Sequence, residues 1–218
     1  MKNGIDCSWQ LGVNPCLNLS PALNVEPKAV RAFIALRVPD AVLGRLVEVQ
    51  RELKSLLPPK STAWTKPDNL HLTLRFLGNV SPTKVPELET RLREALSSFG
   101  NLDLICERLG CFPDLRYPRV VWAWVHDANE RLQSLHRCLD EAVREFAEKP
   151  AEARFVGHIT LARPKQIKRP DAEKLARFIE GAVNRSFGGW SANEILLMQS
   201  ELSPGGSKYH ELARVGFG

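Results

Sequence analysis

Two tetrapeptides constrain this chain more than any other feature: His71-Leu72-Thr73-Leu74 and His158-Ile159-Thr160-Leu161. Each alternates polar and apolar positions with the two-residue period of a half-buried strand. Residues two apart on a strand project from the same face, about 6.5–7 Å apart. His71 and Thr73 therefore share a face, as do His158 and Thr160, while Leu72, Leu74, Ile159 and Leu161 turn toward a core. With five His and six Thr in 218 residues, shuffling would produce His-x-Thr only about 0.14 times. Two copies with matching neighbours point to a repeated structural unit. A polar pair backed by an apolar face is a rigid platform for placing reactive groups.

The flanking sequence supports the repeat. "RAFIALRVP" reads as a buried strand, and Asp40 is placed to cap the helix that follows, in which Val42, Leu46, Val49 and Leu53 recur at helical spacing. "HLTLRFLG" is the next strand. Ser81-Pro82 then suits a helix start, leading through about residue 97. "NLDLICERLG" is a strand with a bulge or bend. The cycle repeats as the strand "RVVWAWVHD", a helix over 128–148, the strand "HITLAR", the helix "DAEKLARFIEGAV" with Asp171 as its cap, the strand "WSANEILLMQSEL", a turn, and the last strand "YHELARVGF". Each half reads strand, helix, His-x-Thr strand, helix, strand, and the two histidines stand 87 positions apart.

Residues 1–30 show no sustained period and are broken by Asn, Gly and Pro, so they are expected to be an extension, disordered, with the folded domain over 31–218. That length buries roughly 70% of the unfolded chain's surface. No apolar run approaches the roughly 18 residues of a membrane span. The first residues lack the pattern of a secretion signal. Five cysteines, an odd number without a C-x-x-C pair, read as reduced thiols of a cytoplasmic protein. The charge of +5 suits an anionic partner.

The residue types limit the chemistry. Histidine ionises near neutrality, so one copy can be neutral while another is protonated. Two histidines flanking a phosphorus atom can serve as general base and general acid. Thr73 and Thr160 can donate hydrogen bonds to non-bridging phosphate oxygens. No carboxylate cluster with metal-ligand spacing accompanies them, so neither a metal nor another cofactor is required. Arg75 shares His71's face by strand parity and is a candidate phosphate contact.

The two motifs, together with "RAFIALRVP", "NLHLTLRFLGNV", "RVVWAWV" and "GHITLARP" in that order, resemble the 2H phosphoesterase superfamily. The context narrows the resemblance to its RNA 2′,3′-cyclic phosphodiesterase branch, also called 2′-5′ RNA ligase or LigT-like, and it covers about residues 31–217. It implies an α+β fold of two pseudo-symmetric lobes, with antiparallel sheets lining a central cleft and helices outside. It implies metal-independent hydrolysis of RNA or nucleoside 2′,3′-cyclic phosphate to a 2′-phosphomonoester. The chain is expected to act as a monomer. By position, His71 is the proton donor and His158 the proton acceptor, with Thr73 and Thr160 holding the phosphate. Arg163 matches a family arginine near the phosphate. Ideal parity puts Arg163 on the face opposite His158, so this role requires a bend at 162–164. A 2′-5′ ligase, or a non-catalytic RNA-end binder, is compatible with the same residues.

Other candidates read as packing or surface residues: His126, His136, and Trp64, Trp122, Trp124 and Trp190. Tyr209 and His210 lie near the last strand, where Tyr209 is able to stack on a base or simply pack. The basic run "RPKQIKRP" reads as a solvated loop.

Overall fold

The run beginning near residue 31 forms β1 (Val30–Arg37), with five consecutive buried residues, and leads into α1 (Asp40–Leu56). The chain continues as β2 (Thr62–Trp64), β3 (His71–Val80), α2 (Val85–Leu96), β4 (Leu102–Phe112), β5 (Val120–His126), α3 (Arg131–Val143), β6 (His158–Pro164), α4 (Arg169–Gly181), β7 (Ser186–Ala192), β8 (Glu194–Ser203) and β9 (Gly206–Gly216). This computed structural model describes residues 28–150, 154–165, 167–203 and 206–218. The extension expected over 1–30 lies outside the described residues except for its last three, of which Val30 opens β1 opposite Val80.

All strand pairs are antiparallel, in the order β7-β4-β5-β6-β3-β1-β8-β9, with β2 added beside β6. At the centre, β3 and β6 meet through a single bridge, Leu72 opposite Ile159. These are the apolar positions between His and Thr in the two motifs. Outward from that bridge the order β6-β5-β4-β7 mirrors β3-β1-β8-β9, so a pseudo-twofold axis passes between the motifs. The two expected sheets are thus lobes of one sheet joined at a narrow seam.

The lobes do not coincide with the sequence repeats. α1, which follows β1, packs against β6 and β7 of the other lobe, beside α4; α3, which follows β5, packs on β3 beside α2. β4 crosses to pair with β5, and β8 returns to pair with β1. This exchange lets each helix layer bury apolar residues from both repeats, such as Leu46 and Leu53 of α1 or Leu135 and Leu139 of α3, all fully buried.

Several local expectations need correction. Asp40 is the first helical residue of α1, behind Pro39, and makes no cap hydrogen bond; its charge instead lies in the electropositive first turn. Ser81 makes no backbone cap either, bonding the Thr83 hydroxyl at 2.8 Å. Asp171 lies inside α4, 3.4 Å from Lys174. The unforeseen cap is Asp127, whose carboxylate accepts the backbone N–H groups of Asn129, Arg131 and Leu132 ahead of α3. The single strand expected over 190–202 divides at Asn193 into β7 and β8.

Candidate active site

Strand parity is broken at an equivalent position in each motif strand, and β3 shifts a second time at Leu77, beyond Phe76. In β3, Thr73 pairs with Ala35 and Arg75 with Ile34, leaving Leu74 as an extra residue. In β6, Thr160 pairs with Trp122 and Ala162 with Val121, leaving Leu161 as the extra residue. Such a bulge moves every later side chain to the opposite face. Arg163 therefore joins His158 and Thr160 on the cleft face, exposed, without a break at 162–164.

The same device removes Arg75 from the position expected of it. Paired with the core residue Ile34, Arg75 turns to the helix side and is 7% exposed. Its Nε donates to Asp140 of α3 at 2.9 Å, and its two terminal nitrogens donate to the carbonyls of Phe76 (3.0 Å) and Lys149 (2.7 Å). It forms part of the cleft wall, but its guanidinium is committed to the fold. The side chain brought to the place equivalent to Arg163 is Phe76, whose ring lines the cleft and is 60% exposed. Sequence reasoning missed it because Phe in an apolar strand reads as core.

His71 and His158 are oriented alike. His71 Nδ1 lies 2.8 Å from the carbonyl of Asn69, and His158 Nδ1 lies 2.8 Å from that of Val156, each two residues upstream. A carbonyl can only accept, so each Nδ1 carries hydrogen and, in the neutral ring, the lone pair lies on Nε2. Phe33 and Tyr209 brace His71, at ring-centroid distances of 4.9 and 5.2 Å. Phe112 (5.1 Å) and Trp122 (6.3 Å) brace His158. The Trp122 ring lies against Gly110, where an added Cβ would collide with it. Tyr209 therefore reaches the site as a wall of the His71 pocket.

The cleft between the lobes has a volume of about 470 Å³, and it gathers His71, Thr73, His158, Thr160 and Arg163 with Phe33, Phe76 and Tyr209. Among the described residues, Thr73, Thr160 and Arg163 make no side-chain hydrogen bond or ion pair with the protein. A second hollow, about 670 Å³ and shallow, lies by Cys111, Arg116 and Ile179 and contains no histidine. His136 is buried and stacked on Phe155 at 4.2 Å. His126 stacks on Trp124 at 4.0 Å, outside the cleft lining. His210 faces Glu201 at 3.5 Å. Burial pushes the thiols of Cys106 and Cys111 up to about 12 and about 11 and raises that of Cys138, which keeps all three protonated near neutrality. Among the described residues no group of three or more His, Cys, Asp or Glu is placed to hold a metal ion, and no helix is long and apolar enough to cross a membrane.

Burial pulls His71 down to about 4; the hydrogen bond to Asn69 opposes this, and a positive charge on His158 adds to it. The unfolded chain then takes up a proton near pH 6.5 that the folded chain refuses until about pH 4. Because the unfolded state binds more protons, this group should lower stability progressively as pH falls through that window, by up to about 3 kcal/mol. Denaturant titration at pH 7 and pH 4.5 should show a smaller acid loss in His71→Gln than in the wild type. Equal losses in the two proteins would contradict the shift.

The model of the LigT-like phosphoesterases matches this chain over residues 36–122 and 124–209, so that each matched segment contains one His-x-Thr motif. An RNA 2′,3′-cyclic phosphodiesterase of Methanothermobacter thermautotrophicus is 32% identical over 183 residues, covering 84% of this chain and 96% of the relative. One of the same name from Archaeoglobus fulgidus is 31% identical, covering 84% and 98%. The crystal structure of TT0787 of Thermus thermophilus superimposes with a TM-score of 0.70 at 26% identity, covering 86% of this chain and 97% of that one. With the duplicated strands, the mirrored lobes and the paired histidines in one cleft, these matches place the chain among the LigT-like phosphoesterases.

Proposed function

We propose that the protein hydrolyses RNA or nucleoside 2′,3′-cyclic phosphates to 2′-phosphomonoesters, using the two histidines as a proton relay and no metal ion. The observation that carries this reading is the matched pair of imidazoles, each tethered through Nδ1 to a carbonyl two residues upstream and each lining the same cleft from its own lobe. Binding an RNA end requires donors; it does not require two such proton-transfer groups. The names of the two relatives point to the same reaction.

In this mechanism Thr73, Thr160 and Arg163 hold the non-bridging phosphate oxygens. His158 Nε2 takes a proton from water as its oxygen bonds to phosphorus. The bond from phosphorus to the 3′ oxygen breaks in line, and His71 Nε2 supplies that oxygen with a proton. The phosphate remains on the 2′ oxygen. Burial makes His71 resist protonation, so in the proposed mechanism the anionic phosphate itself supplies the favourable field that burial removes. The limbs of the resulting bell-shaped kcat/KM profile belong to the coupled pair.

The donor set contains hydroxyls, imidazoles and a guanidinium, with no carboxylate cage. Hydrolysis of 2′,3′-cyclic AMP should therefore continue at its full rate after exhaustive dialysis against EDTA. Loss of activity that returns only on adding a divalent ion would contradict the mechanism.

A further inference from the structure

We propose that Gln50, a buried residue of α1 outside the cleft lining, is a positioning residue that holds the β6 bulge and thereby presents Arg163 to the substrate phosphate. The inference rests on the reading of Arg163 as a phosphate contact. Gln50 is 2% exposed in a helix face otherwise formed by Val42, Leu46, Val49 and Leu53. A carboxamide in such surroundings is costly unless its hydrogen bonds are made. Its Nε2 donates to the carbonyl of Leu161 at 2.8 Å and to that of Thr65 at 2.9 Å. Leu161 is the extra residue of the bulge, and its carbonyl also accepts the N–H of Thr65 at 3.0 Å.

Both lone-pair directions of the Leu161 carbonyl are thus satisfied, one by the segment after β2 and one by a side chain from the helix layer. A regular strand would put Arg163 on the core side, as the unbroken alternation from His158 requires. The bulge reverses this, and Gln50 adds a second hydrogen bond to the bulged carbonyl, tying it to the helix layer as Thr65 ties it to the neighbouring chain segment. The effect of Gln50 on catalysis should accordingly pass through Arg163.

A double-mutant cycle tests this with wild type, Gln50→Met, Arg163→Ala and the double variant, measuring kcat/KM for 2′,3′-cyclic AMP and melting temperature. Arg163→Ala should lower kcat/KM by about 10-fold or more, as expected for losing a charged phosphate contact. Gln50→Met should lower it several-fold beside Arg163 and leave it unchanged when Arg163 is already alanine. Its melting temperature should fall by a similar few degrees in both backgrounds. An equal fold-loss of activity in both backgrounds would overturn the positioning role and leave Gln50 a packing residue. If Arg163→Ala alone keeps wild-type activity, the phosphate reading of Arg163 fails. The crystal structure of Gln50→Met then decides the structural claim: Arg163 withdrawn from the cleft supports it, and an intact bulge with Arg163 still in the cleft overturns it. Should Gln50→Met not fold, Gln50→Asn, which keeps the amide but shortens its reach, takes its place with the same expected outcomes.

Discussion

Replacing either histidine of the cleft by alanine is expected to lower kcat at least about 10²-fold, the lower end for losing a proton-transfer group. His71→Ala and His158→Ala remove opposite ends of one displacement, so the double variant should be little worse than the poorer single one. The folded structure should survive, because neither ring is tied into the helix-side core: each lies on the cleft face and is anchored to a carbonyl of its own strand's approach, two residues upstream. Thr73→Ala and Thr160→Ala should cost less, since in the proposed mechanism each hydroxyl is one of several phosphate donors. Steady-state kinetics on 2′,3′-cyclic AMP provide the measurement. Turnover at the wild-type rate with both histidines absent would refute the relay.

Arg75→Met is expected to act in the opposite way, on stability and not on chemistry. The substitution leaves Asp140, only 23% exposed, without its cation and strips the donor from the carbonyls of Phe76 and Lys149. Removing one member of a buried pair costs about 3–5 kcal/mol, which for a domain of this size lowers the melting temperature by roughly 10 °C. Activity measured well below the transition should stay within about threefold of wild type. An unchanged melting temperature with a collapse of kcat/KM would return Arg75 to the phosphate site.

The contrast between Arg75 and Arg163 marks the limit of what the amino-acid pattern reveals. The His-x-Thr strands were legible because strict alternation and an 87-residue spacing are local signals. The helix faces of α1 and α3 were legible for the same reason. A single-residue bulge leaves no mark in composition, yet it reverses the face of every residue beyond it, so parity placed Arg75 in the cleft and made Arg163 depend on a bend further along. At the β6 bulge the contact made is distant in sequence, Gln50 with Leu161 across 111 positions. β7 is not separable from β8 by pattern because Gly188 and Gly189 interrupt the apolar run that marks a strand. The exchange of α1 and α3 between lobes is a property of the whole sheet order, which no stretch of sequence contains. Phe76 was hidden by its own type: an exposed phenyl ring and a core phenyl ring are the same letter.

The most direct test of the central claim is phosphorus NMR of an RNA oligomer ending in a 2′,3′-cyclic phosphate, incubated with the pure protein in EDTA and compared with authentic 2′- and 3′-phosphate standards. The two-histidine relay, with His71 facing the 3′ oxygen, predicts loss of the cyclic phosphate signal and growth of the 2′-phosphomonoester signal alone. A cyclic phosphate that persists unchanged, or a product bearing its phosphate on the 3′ oxygen, would contradict it.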